Sequence, residues 1–168
     1  WQASGTYSDW GQSSSYANSG SYSLFQYYSS SWSWYNSYLN SPEFVVTDDN
    51  ALITARYITD WYYSNDGRMS IKIKVNDGGW TEFYSRENEN CCAWEIISVD
   101  ISDYANIGDK VQIRFHTNWY VNFYTYIDDF SFVGLDPIET SKYNDGPSFE
   151  FSNVNDTEIN FENGQIRN

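Results

Sequence analysis

Aromatic side chains gather at three places where turns, rather than apolar strands, are expected. Trp32, Trp34 and Tyr35 form one group, Trp61, Tyr62 and Tyr63 a second, and Trp119 and Tyr120 a third. A flat aromatic face can stack on a sugar ring. The same side chains also anchor protein–protein interfaces, and some of so many must be core. A carboxylate is the second chemical lead. Asp128 precedes Asp129 in Tyr126-Ile127-Asp128-Asp129-Phe130-Ser131-Phe132, where alternation puts it on one face with Phe130 and Phe132. An inward carboxylate needs a partner, either a metal ion or loop amides, because an isolated buried charge is very costly. Cys91 and Cys92 are the only cysteines. Adjacent Cα atoms lie ~3.8 Å apart, below the usual disulfide range, so a bridge between them is strained. A vicinal disulfide in an exposed loop, a bridge between subunits and two plain thiols all remain open. Asn155-Asp156-Thr157 fits a glycosylation sequon.

Catalysis has little support in the residue types. The one histidine, His116, falls on the polar face of a strand, with no nucleophile and orienting carboxylate pointing to it. No carboxylate pair stands out as a glycosidase acid and base. The formal net charge of −14 argues against nucleic-acid binding and fits a soluble extracellular protein, a calcium binder, or both. No apolar run approaches the ~20 residues of a membrane span. The chain opens at Trp1 without a Met, which reads as a mature or excised piece and makes export an inference.

The elements that must position these residues are strands. Aromatics make up 20% of the 168 residues, and Tyr, Trp, Phe, Val, Ile and Thr favour a pleated surface. Residues 1–41 are rich in Ser, Tyr, Trp and Asn, and the first clear strand starts at Gly20-Ser21-Tyr22-Ser23-Leu24-Phe25. Further strands are expected at Glu43–Thr47, Ala51–Thr59, Met69–Asn76, Trp80–Tyr84, Trp94–Val99, Lys110–His116 and Tyr124–Val133. Asp77-Gly78-Gly79 marks a hairpin between two of them. Many short strands spaced by turns indicate an all-β sandwich. Residues 1–134 are assigned to it, and residues 135–168 to a linker with two further candidate strands, Ser148–Ser152 and Thr157–Phe161.

Ordered motifs from Trp1 to Gly134 resemble the jelly-roll superfamily of MAM domains and family-four-like carbohydrate-binding modules. Gly20-Ser21-Tyr22-Ser23-Leu24 is similar to its "G-x-Y-S-L" strand, and Leu39-Asn40-Ser41-Pro42 to the "L-x-S-P" that follows. Lys74–Gly79 is similar to its central hairpin, Trp94 to Ser102 to its "W…vDLS" stretch, and Val111–Phe115 and Tyr126–Phe132 to its closing strands. The resemblance implies a jelly-roll β-sandwich. It also implies a calcium site built from Asp128 or Asp129, the backbone of Ser21, and the Glu of a "F-E-x-G" strand.

That strand is missing from the start, where the chain opens with no strand of its own, and its like appears at the end as Phe161-Glu162-Asn163-Gly164. A C-terminal strand-donating extension is therefore expected, with Ile159, Phe161 and Ile166 entering core pockets and Glu162 completing the calcium site. Donation between subunits, one repeat of a tandem array, and a tail folded back on its own domain all satisfy the pattern. So does a plain extra hairpin. Residues 135–168, extended at ~3.3 Å each, span on the order of 110 Å, enough to reach a neighbour. The leading expectation is a homopolymeric protomer or repeat of an extracellular or cell-surface filament. The alternative is a carbohydrate-binding module of a secreted enzyme or adhesin.

Overall fold

Strict two-residue alternation, clearest in Lys110–Trp119, becomes strand pleating with one face buried and one open. The computed structural model describes residues 1–5, 10–28, 34–61, 67–87, 93–119, 123–138 and 158–159. Its strands are β1 (Gln2–Gly5), β2 (Trp10–Ser13), β3 (Ser23–Tyr28), β4 (Tyr35–Val46), β5 (Leu52–Trp61) and β6 (Gly67–Val75). They continue with β7 (Trp80–Glu87), β8 (Glu95–Asp100), β9 (Lys110–Trp119), β10 (Phe123–Val133), β11 (Leu135–Pro137) and β12 (Glu158–Ile159). No helix occurs among the described residues.

Two antiparallel sheets form an all-β, jelly-roll-like sandwich. The first runs β1-β4-β9-β6-β7 with β11 added to β4, and the second runs β2-β3-β10-β5-β8 with β12 added to β10. Aromatic rings join the layers. Phe115 of β9 meets Phe130 of β10 edge-on at 5.4 Å, and Phe44 of β4 stacks on Phe132 at 4.8 Å. Trp1 lies beside them, 5.0 Å from Phe130 and 5.9 Å from Phe115. Burying each Phe contributes roughly 1.5–3 kcal/mol. Polar pairs cross the same interface. Trp10 Nε1 donates to Ser37 Oγ at 2.9 Å, and Thr117 Oγ1 to Gln26 Oε1 at 2.7 Å, so these buried groups are satisfied.

Two sequence expectations need correction. The chain does open with a strand: β1 pairs Gln2–Gly5 with Ser37–Asn40. Glu43 is not a strand start but the second half of a twelve-residue β4. Pro42 sits where the register with β9 shifts, between Asn40 and Glu43, as a proline inside a sheet must. Past residue 134, β11 pairs Leu135–Pro137 with Phe44–Val46 and buries Leu135. The C-terminal segment is described only at Glu158–Ile159, which pair with Phe130–Ser131 of the same chain.

The β4 bulge holds β4 to β9 through a side chain. Ile113 N donates to Ser41 Oγ at 2.8 Å, and Gln112 Nε2 to Ser41 O at 2.8 Å. Ser41→Ala leaves the Ile113 amide buried without its acceptor and is expected to cost about 1–3 kcal/mol. Urea denaturation measures this; a midpoint equal to the parent's would show that the bulge does not need the hydroxyl.

Candidate functional site

The outward face of the first sheet carries polar and aromatic side chains in place of the core's aliphatics. β4 supplies Asn36, Tyr38 and Asn40, and β9 supplies Gln112, Arg114, His116 and Asn118. Register brings them together: Tyr38 lies opposite His116, and Asn40 opposite Arg114. Their rings and planes form a row. The His116 imidazole stacks on Tyr38 at 4.7 Å, and the Arg114 guanidinium carbon lies 4.7 Å from the Tyr38 ring. On its other side Arg114 is 3.9 Å from the Trp80 ring, which reaches across β6 from the start of β7. All four members are half-buried.

Hydrogen bonds fix the row from below. Arg114 Nε donates to Asn40 Oδ1 at 2.7 Å. Asn36 Oδ1 accepts from Asn118 Nδ2 at 2.8 Å and faces His116 Nε2 at 2.8 Å, so that nitrogen carries the proton. His116 Nδ1 then faces Ser70 Oγ at 3.5 Å. Burial, followed by the charges of Lys72, Arg114 and Arg68, lowers the His116 pKa to about 4. The imidazole is therefore neutral near pH 7, and burial also lowers the Arg114 pKa without discharging it. A planar cation between two aromatic rings is a favourable cation–π arrangement. Aromatic surface with a few fixed polar groups is what a small-molecule site requires.

The expected carboxylate site is organised by hydrogen bonds. Asp128 is only 2% exposed, so the expectation of burial holds. The cause is not the alternation, since a register shift falls between Asp128 and Ser131 and Asp129 takes φ 48°. Asp128 Oδ2 accepts from the Asn18 amide at 2.7 Å and the Ser19 amide at 3.2 Å, and Oδ1 from the Asp129 amide at 2.8 Å. Asp129 accepts from Asn18 Nδ2 and Ser19 Oγ and lies 3.6 Å from Arg56 Nε. Burial raises the Asp128 pKa against these donors. Every oxygen of the pair thus has an N–H or O–H donor, and together the two residues latch the loop at Asn18 and Ser19, close to the exposed Ser21. Among the described residues no group of three or more His, Cys, Asp or Glu could hold a metal ion. Glu162, the remaining calcium candidate, lies outside the described residues.

The expected loop aromatics are dispersed. Trp119 is not in a loop but on β9, 1% exposed in the core, so it offers no face to a ligand. Tyr35 opens β4 and packs against the core, while Trp34 is 54% exposed. Trp61 ends β5. Trp32, Tyr62, Tyr63 and Tyr120 lie outside the described residues, as do Cys91, Cys92, Asn155, Phe161 and Ile166. Ile159 is described only through its backbone pairing. A second aromatic group, Phe25, Tyr124 and Tyr126, lies on the other sheet, where Phe25 and Tyr126 cover each other at 4.8 Å. Trp80, Tyr38 and Asn36 were missed by sequence reasoning. The polar face of β9 was legible, and Trp80 beside the Gly78-Gly79 turn was the remaining clue.

No family model matches the chain, and no curated protein matches it. A solved structure does: TmCBM61 in complex with β-1,4-galactotriose, a carbohydrate-binding module. The TM-score is 0.57 at 13% identity, covering 82% of this chain and 88% of that one. At that identity the likeness shows a shared fold.

Two outcomes follow from this geometry. Between pH 6.5 and about 4 the unfolded chain protonates His116 while the folded chain does not. Stability therefore falls as pH drops through that window. With the ring partly open to solvent, the loss is about 1–3 kcal/mol. Thermal melts from pH 7 to pH 4 should show a steeper decline for the parent than for His116→Gln, and parallel declines would contradict the depressed pKa. Asp128→Ala strips three backbone amides of their acceptor and is expected to cost about 2–4 kcal/mol. Faster hydrogen exchange at Asn18 and Ser19 should accompany it; unaltered exchange there would dismiss the latch.

Proposed function

We propose that the protein is a non-catalytic glycan-binding module whose site is the Trp80–Arg114–Tyr38–His116 row. One observation carries this reading: a fixed row of planar groups stands on an open sheet face instead of in the core. Arg114 covers one face of the Trp80 indole, and no other ring lies against Trp80 among the described residues. The second face is the platform on which a sugar ring stacks. Arg114 and Gln112 supply donors at the rim for sugar hydroxyls, and the neutral His116 positions Tyr38. TmCBM61, bound to a β-1,4-linked galactotriose on a similar fold, supports the ligand class. An extracellular or cell-surface setting accompanies this reading, because polymeric glycans are met there.

Trp80→Ala is expected to lower affinity at least tenfold, about 1.4 kcal/mol. The melting temperature should move little, since Trp80 lies outside the core. Calorimetric titration with β-1,4-galactotriose and a panel of other oligosaccharides tests this. Absence of binding to every glycan, or equal binding by Trp80→Ala, rejects the assignment.

A second reading keeps the protein as a structural protomer that self-associates through its C-terminal segment. Its premise is that a segment from another copy takes the register in which Glu158–Ile159 of the same chain pairs with Phe130–Ser131 of β10. Light scattering and electron microscopy of the full chain and of a version lacking residues 157–168 decide the matter. Filaments lost on deletion support donation, whereas a monomeric full chain removes it.

A further inference from the structure

Cations are scarce in this chain, with nine Lys and Arg against twenty-three Asp and Glu. Five of the nine, Arg68, Lys72, Lys74, Lys110 and Arg114, occupy outward positions on the neighbouring strands β6 and β9. Register places Lys72 directly opposite Arg114, Lys74 opposite Gln112 and Arg68 opposite Asn118. Like charges directly opposite one another destabilise a sheet, so this pair weakens the fold it sits in.

Neutralisation from within is small. Glu82, opposite Lys72 on the other side, gives its carboxylate to Arg68. Glu43 shares the face, opposite Gln112. Lys72, Lys74 and Arg114 form no salt bridge among the described residues. Among the described residues Arg114 makes one hydrogen bond, from Nε to Asn40, which leaves its two Nη groups without a partner there while the guanidinium plane is held between Tyr38 and Trp80. A fixed guanidinium with a free N–H fork is preorganised for two parallel bonds to a carboxylate. Burial is the main cause of the lowered His116 pKa, and the further lowering by Lys72, Arg114 and Arg68 marks the same positive potential.

We infer that this face selects acidic glycans, chains of uronic-acid type. In this arrangement the sugar carboxylate lies at the Arg114 fork with the Lys72 and Lys74 ammonium groups beside it, while the ring stacks on Trp80. The inference rests on the glycan-binding reading and adds the ligand's charge to it. A local patch of opposite sign also draws an anionic polymer onto a face that the protein's overall −14 charge would otherwise repel.

The test is a matched-pair titration. Uronic-acid oligosaccharides of several linkages are compared with their carboxyl-reduced counterparts, in which each carboxylate has become a primary alcohol. Acidic members should bind at least tenfold more tightly at low salt. Raising salt to ~1 M, where the screening length is ~3 Å, should shrink that ratio. Lys72→Gln combined with Lys74→Gln should shrink the ratio, and adding Arg114→Gln should bring it to within about threefold of unity at any salt. Equal binding of both members by the parent protein overturns the acidic selectivity and leaves the glycan reading standing. Binding of neither member, nor of neutral oligosaccharides, overturns both. Binding of sulfated neutral chains as tightly as of the uronates would show that charge alone is read, and would overturn carboxylate recognition by the Arg114 fork.

Discussion

The candidate face hangs from the pleat of β9. One side of that strand carries Val111, Ile113, Phe115, Thr117 and Trp119 into the core, and the other carries Gln112, Arg114, His116 and Asn118 outward. The inward set meets the second sheet through Phe115 and Phe130 and through Thr117 and Gln26. A one-residue slip would bury Arg114 and His116 and expose Phe115 and Trp119, so the core contacts dictate which side chains solvent sees. The outward row needs no separate determinant of its position. It is the complement of a packing pattern that burial already enforces.

Two bulges then adjust the neighbours to that pattern. Before the shift in β4, Ser37 and Leu39 are buried; after it, Phe44 and Val46 are. The extra residue changes the parity of the strand. Without it, Phe44 and Val46 would lie on the same face as Tyr38 and spoil the polar surface. β10 does the same, with Thr125 and Ile127 buried before its shift and Phe130 and Phe132 after. There the one extra residue falls between Asp128 and Ser131, and the side chains of Asp128 and Asp129 turn to fasten the loop at Asn18 and Ser19. Aspartate is among the few residues that take the left-handed conformation at modest cost, which suits Asp129 to the position.

Those parity changes explain what could be read in the sequence. Where alternation was uninterrupted, as at Met69–Asn76 and Lys110–His116, the strand and its two faces were legible. Asp128 was read as inward on the assumption of unbroken alternation; it is buried, but by the bulge and its amide partners. Tyr35–Pro42, β1 and β2 escaped because contrast is missing there. Ser37, Asn40 and Ser41 are buried beside Leu39, paired with polar groups such as Trp10 Nε1 and the Ile113 amide. Buried polar residues of this kind satisfy hydrogen bonds while erasing the hydrophobic period on which strand recognition depends. Trp119 was misplaced for the converse reason, since an aromatic next to Tyr120 looks like a loop cluster when the strand's end cannot be seen.

The difference between the row and a loop aromatic such as Trp34 is one of entropy. An exposed side chain must surrender its freedom when a ligand orders it, at roughly 0.5–1.5 kcal/mol for each rotamer-rich group. Arg114 has largely surrendered it already, pinned by Asn40 and pressed between two rings, and Tyr38 is held between Arg114 and His116. The cost of that order is met by folding, through the sheet register that brings these residues side by side. A ligand arriving at the face therefore finds its donors oriented before contact, and the rigidity that stabilises β9 in the core becomes the rigidity of the surface above it.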